Sequence, residues 1–122
     1  MNKVAFGHAA ESVALAYLAL KGYGLLARHF RAGKAEVDLV MRDGDCVVFV
    51  EVKYRGVGSV GRGAEAVAPA QRQRLERAAS AWAMRHGLCD LRFDAVVMDE
   101  NAEGLVLRHV RGAFGASGRV LF

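Results

Sequence analysis

Apolar and polar positions divide the chain into two helix-like and five strand-like stretches. Residues Phe6 to Lys21 carry alanine, valine and leucine on nearly every side, and Gly22 follows where a left-handed residue ends a helix. Tyr23 to Phe30 reads as a first strand, Ala32-Gly33-Lys34 as a turn, and Ala35 to Met41 as a second strand. Arg42-Asp43-Gly44-Asp45 is a hairpin-turn sequence. Cys46 to Tyr54 then forms a third strand, apolar on both faces as far as Glu51, as a central buried strand should be. Gly56 to Gly63 is a glycine-rich loop. Pro69 opens a second helix at a position that suits proline; it runs to about His86 and stops at Gly87. Gln71, Leu75, Ala78 and Trp82 share one of its faces. Leu91 to Met98 and Leu105 to Val110 are the last strands, with a turn from Asp99 to Gly104 between them. The order α-β-β-β-α-β-β predicts a single α/β domain over residues 1–122, a central mixed sheet of about five strands flanked by helices.

Composition narrows the class of protein. With 122 residues, 53% of them hydrophobic, the chain is long enough for one real core and is not disordered. No apolar run is long enough to span a bilayer and no N-terminal signal pattern is present, so no membrane partner is expected. Cys46 and Cys89 lack CxxC partners and read as reduced thiols of a cytoplasmic protein. The net charge is +4, and all but four of the seventeen basic residues are arginine. Arg55, Arg62, Arg72, Arg74, Arg77 and Arg85 cluster mid-chain, which suits a polyanion. A GC-rich genome would give the same preference for arginine over lysine.

The chemistry concentrates in Glu36-Val37-Asp38 and Glu51-Val52-Lys53. If Gly44-Asp45 is the turn, Asp38 falls opposite Glu51 and Glu36 opposite Lys53. With Asp43-Gly44 as the turn the pairing slips by two, and the same four side chains still share a face. Three carboxylates and an ammonium on one patch would bind a hard divalent cation and keep a positive group beside the water it activates. A solvated hairpin face is the plainer alternative. The apolar strand argues against it, because charge at the end of a buried strand is costly unless paired or metal-bound. Glu11 is a second anomaly, sharing a stripe with Leu15 and Leu18 and lacking a lysine or arginine three or four places away. An exposed acid near a helix N-terminus explains it equally well.

Other signatures fail. Gly61-Arg62-Gly63-Ala64-Glu65-Ala66 fits a dinucleotide-binding pattern but lies ahead of the helix it should open. Ser59 lacks a nucleophile elbow. His8, His29, His86 and His109 have no zinc spacing and read as surface or packing residues.

Asp38 followed by Glu51-Val52-Lys53 resembles the motif of the PD-(D/E)xK nuclease superfamily, the restriction-endonuclease-like fold. More narrowly, the chain is similar to the YraN-like family of uncharacterised bacterial proteins. The matching residues are Gly7, Glu11, Gly22-Tyr23, Glu36 to Leu39, Val48 to Lys53, Arg55, Glu65-Ala66-Val67 and Arg92-Phe93-Asp94. Ala35 stands where that family usually has glycine, and Gln71 where its second helix usually begins with lysine. Glu11 resembles an early glutamate of archaeal Holliday-junction resolvases.

The resemblance implies a nuclease dependent on Mg²⁺ or Mn²⁺, with catalytic residues Asp38, Glu51, Lys53 and Glu11. Asp38, Glu51 and the Val52 carbonyl would ligate the cation, and Glu11 and Glu36 would hold water beside it. Lys53 would orient the attacking water. Arg55, Arg62, Arg72 and Arg74, with Gln71 at the lysine position, would lie along a phosphate backbone. The partners expected are DNA or structured nucleic acid and, in a homodimer, a second copy of the chain. The rivals are a non-catalytic nucleic-acid- or partner-binding module that keeps the fold, and a metal-stabilised structural protein.

Overall fold

The computed structural model describes residues 3–56 and 69–113, with side chains for residues 8–56 and 72–113. α1 (Lys3–Leu20) precedes three consecutive strands, β1 (Gly24–Ala32), β2 (Ala35–Asp43) and β3 (Cys46–Arg55). α2 (Pro69–His86) leads into β4 (Asp90–Asn101) and β5 (Gly104–Val110). Type and order agree with the sequence pattern, and the ends move by a few residues. The last hairpin is tighter than the pattern suggests: β4 runs on to Asn101, whose Oδ1 accepts the Glu103 N–H at 2.8 Å and closes the turn. Most of the glycine-rich loop, Arg62, the dinucleotide-like motif and the tail beyond Ala113 lie outside the described residues, as does the side chain of Gln71.

The strands form one sheet in the order β1-β2-β3-β4-β5. Every neighbouring pair is antiparallel except β3 and β4, which run parallel. Antiparallel strands can be joined by two-residue loops, and Gly33 (φ 63°) and Gly44 (φ 61°) each take the first loop position, where a type II′ turn needs a positive φ. A parallel pair needs a crossover, which carries α2. Among the described residues no helix is long and apolar enough to cross a membrane.

The helices cover opposite faces of the sheet. Beneath α2, Phe30, Val37, Val40, Val47, Phe49 and Phe93 pack on Leu75, Ala78, Ala79 and Trp82. Trp82 meets Phe30 and Phe49 edge-on, at 5.1 and 6.2 Å between ring centres. Beneath α1, Leu39, Met41, Val48, Val50, Val96 and Met98 pack on Ala10, Ala14 and Leu18. Strict alternation would put Val37 and Val40 on opposite faces, yet both pack under α2. The slip falls between them, at Asp38 and the residue after it.

A buried polar brace fixes the other end of the sheet. Asp94 is fully buried, and Arg92 grips its two oxygens through Nε (2.8 Å) and Nη2 (3.0 Å). The same guanidinium donates to Asp43 at 3.0 Å and to the Tyr23 hydroxyl at 2.6 Å. Lys21 Nζ lies 2.8 Å from His109 Nδ1. An ammonium can only donate, so Nδ1 accepts and the ring proton sits on Nε2, 2.7 Å from Asp94. The Gly112 N–H also donates to Asp94, at 3.1 Å. Burial alone would raise the Asp94 carboxyl. The bonds from Arg92, His109 and Gly112 outweigh it and hold the group below its ordinary 3.8.

Candidate metal and phosphodiester site

The β2–β3 register, from Asp43↔Cys46 to Leu39↔Val50, selects the turn at Gly44-Asp45 and excludes the slipped alternative. One step further sets Asp38 opposite Glu51. The ladder ends at Leu39↔Val50, and past it Asp38 Oδ2 takes the Val52 N–H at 2.9 Å. That contact anchors the aspartate on the strand that carries the glutamate. A strand residue directs its N–H and C=O to the same side, so the Val52 carbonyl faces the same gap.

Glu51 is mostly buried there, and its carboxyl is pushed up to about 8. Burial is the main cause, followed by a hydrogen bond to Asp38 and by the charge of Asp38; Lys53 and Arg74 act in the opposite direction. Two carboxyl groups thus meet in a poorly solvated corner. Lys53 and an arginine of α2 stand near enough for their charge to be felt there.

Glu11 reaches the same corner from α1. It is buried, and burial followed by the charge of Asp38 raises its carboxyl above the ordinary value. Its Oε1 lies 2.9 Å from His29 Nε2 and 3.9 Å from Arg28, yet it makes no hydrogen bond. Glu36 is engaged by Arg31 at 3.1 Å and by His29 Nδ1 at 3.9 Å. The structure therefore brings Asp38, Glu51, Val52, Lys53 and Glu11 together, with Glu36 at the rim. Arg74 extends its field to Glu51 from the exposed side of α2, where Arg72 is also solvated. Arg55 is half-buried at the end of β3, in register with Asp99.

Sequence reasoning set His29 aside. It is the one non-glycine among the described residues with a positive φ, 52°. The flanking pairs Arg28↔Leu39 and Phe30↔Val37 place it across from Asp38. The left-handed backbone turns the strand over at that point: Arg28 faces Glu11 on the α1 side, while Phe30 packs on Trp82 under α2. The signal was there in Arg28-His29, two successive polar residues in a strand whose alternation allows one.

Among the described residues no three His, Cys, Asp or Glu side chains form a ready metal-ligating group. The oxygens that could hold a cation are instead a carboxylate pair and a main-chain carbonyl, with a buried Glu11 oxygen that lacks a hydrogen bond. Mg²⁺ and Mn²⁺ are hard cations that take oxygen ligands, and Mg²⁺ in particular binds through one or two carboxylates and keeps several waters. This corner fits such an ion.

Residues 10–98 match a family described as "Uncharacterised protein family UPF0102". The chain is 39% identical to a UPF0102 protein of Anaeromyxobacter dehalogenans, with 97% of this chain and 90% of that protein covered. It is 43% identical to UPF0102 protein RPA0323 of Rhodopseudomonas palustris, over 91% and 84% of the two chains. A UPF0102 protein of Halorhodospira halophila is 46% identical, over 88% and 85%.

Proposed function

The chain belongs to the uncharacterised protein family UPF0102, and from the acids that its hairpin gathers we propose a metal-dependent nuclease of the PD-(D/E)xK type. Its substrate would be a phosphodiester bond in DNA or structured nucleic acid. The observation that carries this reading is the contact of Asp38 with Glu51 in a buried corner, where Glu51 keeps its proton to about 8. A structural ion pair would join opposite charges. Joining like charges under a raised carboxyl suits a site completed by a cation.

Asp38, held by the Val52 N–H, and Glu51 would ligate Mg²⁺ or Mn²⁺ with the Val52 carbonyl. Such an ion supplies charge to a phosphoryl oxygen and lowers the pKa of water. Glu11 would turn its carboxylate to a water in the same corner. Lys53, two residues beyond Glu51 on the same strand face, orients the attacking water and offsets charge building on the phosphate. Arg74, with Arg72 beside it on exposed α2, meets the phosphate backbone without reading bases.

The test is incubation with branched, nicked, single-stranded and duplex DNA in Mn²⁺, with Asp38→Ala as control. Cleavage by the wild type alone is the expected result. Binding without cleavage on every substrate replaces the enzyme with a nucleic-acid-binding module.

A further inference from the structure

We propose that His29 is a positioning residue for Glu11, holding that carboxylate toward the cation corner formed by Asp38 and Glu51. The inference rests on the cation-binding reading above.

A positive φ is unfavourable for a residue with a side chain, and histidine, asparagine and aspartate are the ones that tolerate it best. The fold keeps this conformation at His29, whose side chain is 39% exposed and adds little to the core. Packing at this bend comes from the next residue, Phe30, against Trp82. What the conformation does achieve is polar: it brings both ring nitrogens close to acids of the site, Nε2 to 2.9 Å from Glu11 as an ion-pair contact without a hydrogen bond and Nδ1 to 3.9 Å from Glu36. The His8 ring stands edge-on to that of His29, 6.2 Å between centres.

Glu11 needs such a partner. It enters from a different element than Asp38 and Glu51, and the negative charge of Asp38 opposes its own. Left to itself the carboxylate would swing to solvent. His29 on one side, with Arg28 at 3.9 Å, keeps it in the buried position from which a hydrated cation can be reached. Partners that orient a metal site from behind its ligands typically contribute roughly 10–100-fold to affinity or activity.

The experiment is calorimetric titration of metal-free protein with Mn²⁺, on wild type, His29→Asn, Glu11→Gln and the double variant, with melting curves in EDTA. Asparagine accepts the same left-handed backbone, so His29→Asn removes the imidazole and leaves the bend. His29→Asn is expected to melt near wild type in EDTA and to bind Mn²⁺ roughly tenfold more weakly. The double variant should bind no more weakly than Glu11→Gln alone, because His29 acts through Glu11. Unchanged affinity in His29→Asn, or losses that multiply in the double variant, overturns the proposal and leaves the cation site standing. A wild type that binds no Mn²⁺ removes the cation reading and the role of His29 with it.

Discussion

Replacing Glu51 with glutamine should make the metal-free protein more stable in mild alkali. Folded Glu51 keeps its proton to about 8, whereas an unfolded carboxyl releases it near 4.5. Between those values the folded state binds the extra proton, so stability falls as pH rises through the window and levels off above it. The window is roughly 3.5 pH units and each unit is worth about 1.4 kcal/mol, which sets an upper limit near 5 kcal/mol. Part of the side chain is solvated, and screening reduces the expected figure to about 2–3 kcal/mol. Glutamine has no proton to lose and can still donate to Asp38. Urea unfolding in EDTA should therefore give nearly equal stabilities at about pH 5 and an advantage for Glu51→Gln at about pH 9. Mn²⁺ should reverse the ranking at high pH, stabilising the wild type by about 4.1 kcal/mol at a thousandfold excess over Kd and leaving the variant unmoved. The same difference at both pH values, or an alkaline variant less stable than wild type, refutes the description of the corner as a buried like-charge pair.

Lys53→Ala should bind DNA almost as well as wild type in chelator and lose metal-dependent plasmid nicking, since its ammonium acts beside Glu51. Removing Arg72, Arg74 and Arg77 together should do the reverse, weakening binding in anisotropy titrations and reducing the salt slope by up to about 3. Arg92→Ala strands the fully buried Asp94 and should cost about 3–5 kcal/mol in denaturant unfolding. Because Asp94 is held below 3.8, the stability its pairing provides is present above that value and lost as pH falls through the folded pKa, so the wild-type advantage over Arg92→Ala should shrink in acid. Phe49→Ala should cost about 3–5 kcal/mol, Phe49 being fully buried between Trp82 and Phe93, measured as a lowered urea midpoint.

Local pattern carried most of the architecture. Apolar runs and glycine stops are properties of a few neighbouring residues, and they placed each helix and strand of the described residues in order. The acid pair was legible because a two-residue turn and a period of two fix which residues face each other; the sequence left open which two residues turn, and the II′ geometry at Gly44 decides it. His29 showed in the sequence only as a break in alternation at Arg28-His29, and the backbone flip that brings it to the acids is not written there. Glu11 was ambiguous for another reason: whether a helical acid is buried depends on what the helix lands on, here Met41, Val50 and Met98. The brace of Tyr23, Asp43, Arg92, Asp94 and His109 joins residues up to 86 positions apart, Tyr23 to His109, which no local pattern encodes.

The three-stranded meander from Gly24 to Arg55 also bears on how the chain folds. Its pairings are local and close quickly, whereas the parallel β3–β4 pairing must wait for the long loop through α2 to close. On that order Asp38 and Glu51 would meet before their corner is covered. The burial that lifts Glu51 to about 8 arrives afterwards, as the second helix settles over β2 and β1. Refolding near neutral pH should take up a proton in its last phase, and a pH-indicator dye in weakly buffered stopped flow would time it. Uptake coincident with hairpin formation would mean the acids are buried from the start.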